Sequence, residues 1–166
     1  MDEEFIYIGK IVNTHGIKGE LRILSEFKYK ERAFLENRRI YIGKEKIEEV
    51  INSYRHHKIF EMITLKGYNN INQVLKYLNR EVYIKKNDLS LSDKEYLDDD
   101  LIDLNVIFNN QEVGRVLAIK KVSENNKVIE AIINEKRTLI PYHNDFIKNV
   151  DLVNKSIELE LIEGMI

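Results

Sequence analysis

Between Tyr7 and Leu24 the chain reads YIGKIVNTHGIKGELRIL, two runs rich in Ile, Val and Leu around a loop that holds Gly16 and Gly19. Glycine takes positive φ without the Cβ clash that restricts other residues. The spacing therefore predicts a tight antiparallel reversal, shaped by Gly16 and Gly19, with His15 and Lys18 projecting from fixed backbone. Lys10 and Arg22 stand on the flanking strands, so four basic residues share one rigid hairpin. Such a platform suits a phosphate or an RNA backbone, whose binding is driven by Lys and Arg charge. The same pattern fits a plain glycine-punctuated connection in a small barrel, its charges merely solvated.

What surrounds the hairpin narrows the class. A chain of 166 residues, 43% hydrophobic and 33% charged, can bury a core as one domain or two small ones. No run approaches the roughly 18 apolar residues of a membrane span. The opening MDEEFIYIGK is acidic and lacks the basic and apolar regions of a secretory leader. With no cysteine there is no disulfide framework, zinc–thiolate site or thiol nucleophile, and a cytoplasmic location is expected. The net charge of −2 conceals an asymmetry: 17 Lys and Arg against 13 Asp and Glu up to residue 90, then 9 against 15. A basic half joined to an acidic half suggests two surfaces with different partners, or solvated charge alone.

Both halves read as β. Residues 5–13, 20–24, 39–42, 46–54, 58–65 and 81–85 are short runs of Ile, Val, Tyr and Phe, punctuated by Gly, Asn and Lys. One short helix is expected near the end of the first domain. There Ile71, Val74, Leu75 and Leu78 form a stripe at helical spacing, and Asn69 or Asn70 is available as N-cap. Strands are again expected over 101–108, 112–122, 128–134, 138–140 and 156–161. The architecture predicted is mainly β, two small β-barrel domains joined by an acidic linker: 1–86, linker 87–100, and 101–166. Within KNDLSLSDKEYLDDD the apolar Tyr96 and Leu97 would either dock on a neighbouring domain or meet a partner.

The residues offer little for catalysis. His56 and His57 are adjacent, so on a strand they point to opposite faces and cannot share a metal without distortion. The run Asp98, Asp99 and Asp100 reads as solvated linker charge, and no metal or cofactor is expected. No phosphate-binding glycine loop or nucleophile elbow is present, and no serine has a neighbouring His–Asp pattern. Binding remains. Phe27-Lys28-Tyr29-Lys30, Arg38-Arg39-Ile40-Tyr41 and Tyr54-Arg55-His56-His57-Lys58 interleave cations with aromatics, a mix suited to looped RNA or equally to barrel rims and interiors. In the second half Tyr142, His143 and Phe146 follow Pro141, as a protein-docking turn or a segment that plugs its own barrel.

IGKIVNTHGIKGELRIL resembles the opening signature of the RimM ribosome maturation factors. DDLIDLNVI, EVGRVLAI and TLIPYHNDFIKNVDLVNKSIELELIEGMI match in order the landmarks of that family's C-terminal PRC barrel, so the resemblance covers nearly the whole chain. It implies a non-catalytic assembly factor that binds the immature head of the 30S particle, contacts 16S rRNA and ribosomal protein S-nineteen, and assists late maturation and 16S rRNA processing. On that pattern His15, Gly16, Lys18 and Gly19 carry the N-terminal signature, and Tyr96 lies where the family commonly has two aromatics. Here the second is Leu97, and Asp103 replaces the usual glycine of the following strand.

The reading is thus a monomeric two-point adaptor that needs no cofactor and no membrane. Lys10, His15, Lys18 and Arg22 are its RNA-contact candidates. Tyr96, Leu97, Tyr142, His143 and Phe146 are its ribosomal-protein-contact candidates. The competing readings are an rRNA-processing or modifying enzyme, and a protein adaptor without RNA contact.

Overall fold

In Glu20–Leu24 the side chains of Leu21 and Ile23 are fully buried while Glu20, Arg22 and Leu24 turn to the other face. That two-residue period is the mark of a strand with one wet side, and it recurs through the chain. The computed structural model describes residues 4–123 and 125–162. The chain divides into two units, Met1–Ser90 and Leu91–Ile166. The last four residues of the C-terminal match, 163–166, lie outside the described residues.

The first unit contains β1 (Phe5–His15), β2 (Glu20–Leu24), helix α1 (Lys30–Ala33), β3 (Arg39–Ile42), β4 (Ile47–His57), β5 (Phe60–Leu65), helix α2 (Ile71–Val74) and β6 (Glu81–Lys85). Its strands close into a barrel in the order β1-β2-β5-β4-β3-β6, all neighbours antiparallel. Closure removes the unpaired edges that would otherwise template aggregation. Ile8, Ile11, Leu21, Ile23, Ile63 and Ile84 are among the residues that fill it, each at most 1% exposed. Burying one such side chain contributes about 2 kcal/mol.

α2 begins where the sequence suggests. Asn70 accepts from the Asn72 amide at 2.8 Å, and Gln73 Oε1 accepts from the Asn69 and Asn70 amides, a reciprocal cap. Its apolar stripe differs from the expected one. After Val74 the chain tightens into a 3-10 turn, Leu75–Tyr77. A period of three carries Val74 and Tyr77 inward and leaves Leu75 45% exposed. The one-turn helix α1, which lacks any side-chain cap, has no counterpart in the sequence reading.

The second unit contains a 3-10 turn (Asp98–Leu101), β7 (Asn105–Phe108), β8 (Gln111–Ser123), β9 (Asn126–Ile133), β10 (Lys136–Pro141), β11 (Ile147–Asp151) and β12 (Ser156–Leu159). These strands form one six-stranded sheet, β10-β9-β8-β7-β12-β11, antiparallel except for β7 beside β12. The hydrogen-bonded ladder runs from β10 on one side to β11 on the other. Pro141 has no N–H to extend β10, and the Phe146 and Ile147 amides both donate to the His143 carbonyl, turning the chain away. β11 was not foreseen. In the final strand region the alternation holds, with Ile157, Leu159 and Leu161 buried and Glu158 and Glu160 half-buried.

The expected linker is partly absorbed into structure. Lys86–Leu89 forms a 3-10 turn in the first unit, with Leu89 2% exposed. Leu97 is buried, and Tyr96 packs against the second unit's core beside Leu101 and Leu104. Asp103 adopts a positive φ of 70°, a left-handed conformation that glycine takes most readily.

Candidate nucleic-acid interface

The β1–β2 hairpin is held at both glycines. Gly16 and Gly19 have φ of +78° and +89°, and a Cβ on Gly19 would stand 3.1 Å from the Asn70 carbonyl oxygen. The Ile71 amide donates to the Ile17 carbonyl at 2.9 Å, so the loop is tied to the start of α2. Lys18 and Ile17 remain exposed at its tip.

Strand order then gathers charge from distant sequence. β5 lies between β2 and β4, and Met62 on β5 pairs with Arg22 on one side and Arg55 on the other. Paired residues share a face, so both arginines stand outside the barrel, opposite the buried Leu21 and Ile23. Met62, fully buried, lies in the row between them. His15 pairs with Glu20 at the hairpin end, and His57 pairs with Phe60 at the β4–β5 turn. Arg22 Nη2 is 2.6 Å from His15 Nδ1, and its guanidinium lies 5.5 Å from the Phe60 ring centre. The His15 and His57 rings are 6.4 Å apart.

Arg55 donates through Nε and Nη2 to the two oxygens of Glu20, at 2.9 and 2.8 Å. These bonds hold the Glu20 carboxyl below the usual carboxylate range, with His15 and His57 adding to the effect. His57 is pushed below the ordinary imidazole value by burial first, then by Arg55, Lys58, His15 and Arg22.

Of the RNA-contact candidates, the structure brings His15 and Arg22 together. Lys18 stays at the loop tip. Lys10 stands apart on β1, opposite Leu24 and Glu81 and on the order of 15 Å along the strand from His15. Arg55, His57 and Lys58 form a basic-aromatic stretch in the sequence, and the strand order alone joins them to the hairpin. No local signal could, because the β2–β5–β4 order is long-range. His56, as its alternation requires, faces elsewhere: its Nδ1 is 3.0 Å from both oxygens of the buried Glu61, which also accepts from the Tyr54 hydroxyl at 2.6 Å.

The second group of candidates lies within the second unit. Tyr142 donates to Asp98 Oδ1 at 2.8 Å, Lys127 Nζ is 2.6 Å from Asp98 Oδ2, and the Tyr142 amide donates to the Lys127 carbonyl. Tyr96, Tyr142 and Phe146 are half-buried against the core, Leu97 is buried, and His143 is exposed, its Nδ1 accepting from the Asp145 amide at 3.1 Å. The turn after Pro141 therefore folds onto its own unit while presenting His143 and the edges of the two rings.

Comparison with known proteins covers both units. The RimM N-terminal domain model matches residues 6–89, and the RimM PRC barrel domain model matches residues 98–165. A ribosome maturation factor RimM of Staphylococcus haemolyticus is 36% identical over 97% of this chain and 98% of its own length. The protein of the same name from Bacillus subtilis is 31% identical over 100% of this chain and 99% of its own. The crystal structure of a Pseudomonas aeruginosa RimM protein aligns over 96% of this chain and 98% of that one, with 21% identity and a TM-score of 0.47.

Proposed function

The chain belongs to the RimM ribosome maturation factor family, and from that premise we propose that it is a non-catalytic two-point adaptor on the immature 30S head. The first barrel contacts 16S rRNA and the second unit holds ribosomal protein S-nineteen. The observation that carries the RNA half is the outer face on which Arg22, Arg55, His15 and His57 converge around the Glu20 carboxylate. Phosphate contacts of this kind position a protein on RNA without reading its sequence. Lys18 at the hairpin tip extends the positive surface, and Lys10 further along β1 is a separate cationic point.

The second contact draws on Tyr96, Tyr142 and Phe146, half-buried rings packed on the second unit's core, and on the exposed imidazole of His143. Aromatic groups held rigidly at a surface are the usual anchors of protein interfaces. Binding an assembly intermediate more tightly than the mature particle would bias rRNA folding by differential affinity, without covalent chemistry.

Crosslinking on a purified head-assembly intermediate tests both contacts at once. The expected result is an RNA crosslink from the β1–β2 hairpin and a protein crosslink from residues 142–146 to S-nineteen. Charge reversal at Lys10, Lys18 and Arg22 that left binding to the intermediate unchanged would replace this reading with a purely protein-binding adaptor.

A further inference from the structure

The hydrogen bond between Arg22 and His15 fixes more than position. Arginine has only donors, so an Nη2 lying 2.6 Å from His15 Nδ1 requires that nitrogen to be an unprotonated acceptor. The proton of neutral His15 is then on Nε2, on the opposite side of the ring from Arg22. Among the described residues Arg22 has no carboxylate partner, and its Nε is buried without a hydrogen bond. Its guanidinium meets His15 and lies over the Phe60 ring, and it is one of the cations that act on His57. An arginine so placed retains donors that the protein does not use, beside two imidazoles 6.4 Å apart.

We infer that Arg22, His15 and His57, with Arg55 and Lys58 at the rim, form a seat for one phosphate group, and that filling it takes up a proton. The inference rests on the RNA reading above for the source of that phosphate, a phosphodiester of the rRNA backbone. Guanidinium donors and imidazole N–H groups match phosphate oxygens. Around His57 the charged and titratable groups are Arg55 and Lys58 on β4 and its turn, Arg22 and Glu20 on β2, and His15 on β1. Without an anion, a proton on His57 adds charge to an already cationic cluster, whereas one on His15 Nδ1 would break the bond from Arg22. With a phosphate seated, the proton on His57 gains a counter-ion, so anion and proton bind cooperatively and reciprocally.

The test uses the full chain and two probes. Inorganic phosphate is titrated while the imidazole resonances of all four histidines are followed by NMR. His15 and His57 should shift along one saturating isotherm, His56 and His143 should not, and the His57 titration midpoint should rise at saturation. R22A should abolish the isotherm and R22K should weaken it, with thermal melts confirming that both variants fold. Unmoved His15 and His57 signals, or an isotherm unchanged in R22A, would overturn the seat. Separately, binding to a 16S rRNA head-domain transcript is measured against salt, and R22A should lower the slope of log K on log salt by about 0.9 or less. An unchanged slope with intact RNA binding overturns the seat and leaves the RNA reading standing. Phosphate that fills the seat in a chain that ignores the transcript supports the seat and overturns the RNA reading.

Discussion

Gly19 lies against Asn70 so closely that a Cβ at Gly19 would stand 3.1 Å from the Asn70 carbonyl oxygen, and its φ is +89°. The hairpin that carries His15 and Arg22 is thus seated on the first residues of α2, with the Ile17 carbonyl accepting from the Ile71 amide. Gly16 has a similar φ of +78° but open space around it. G16A should cost about 1–2 kcal/mol from left-handed backbone strain alone. G19A should cost more, because Asn70 must also move. Urea unfolding of the two variants distinguishes them, and equal losses would show that the Asn70 contact carries no weight.

Leu97 and Tyr96 are neighbours with different roles. Leu97 is 8% exposed, so L97A should cost about 2–5 kcal/mol of stability, as truncations of buried leucines do. Tyr96 is only half-buried, so Y96A should cost less stability and more affinity for S-nineteen. Calorimetric melting beside a pull-down with the purified ribosomal protein separates the two effects.

The Tyr142–Asp98 hydrogen bond fastens the turn after Pro141 to the 3-10 turn Asp98–Leu101. Y142F keeps the ring packing and removes that bond, for an expected loss of about 1 kcal/mol. H143A should leave the melting temperature within error, since that imidazole is exposed. Chemical denaturation of both variants checks the contrast.

Acid should loosen both units through identifiable carboxylates. Glu20 is held below its ordinary value of 4.5 by Arg55, and Glu130 by Arg137 and Lys120. A carboxyl with a depressed folded value contributes stability that is fully present above about 4.5 and disappears as pH falls through that lower value. His57 acts earlier, because its depressed value makes the folded state bind fewer protons than the unfolded one. Its protonation should weaken the fold as pH falls below about 6.5, its ordinary value. Unfolding midpoints measured from pH 8 to pH 3 should therefore fall in two stages, with the earlier one absent in H57Q.

Much of this fold is written in local periodicity. The inward Leu21 and Ile23, and the inward Ile157, Leu159 and Leu161, follow from alternation alone. The N-cap Asn70 is equally legible because its partner Gln73 is three residues away. The end of α2 is not, since the shift to a 3-10 turn that buries Tyr77 in place of Leu75 answers to packing in the barrel. β11 escapes notice because an edge strand with Val150 only half-buried has little apolar pattern to show. The site divides in the same way. His15 and Arg22 belong to one hairpin and could be paired from their spacing, whereas Arg55 and His57 join them only through the order of strands around the barrel.

An adaptor of this kind distinguishes the immature particle from the mature one. Ribosomal particles are separated by sedimentation from growing cells, and the protein is quantified in each fraction. The account predicts enrichment on immature 30S particles, diminished by charge reversal at Lys10, Lys18 and Arg22. Equal abundance on mature 70S ribosomes would contradict it.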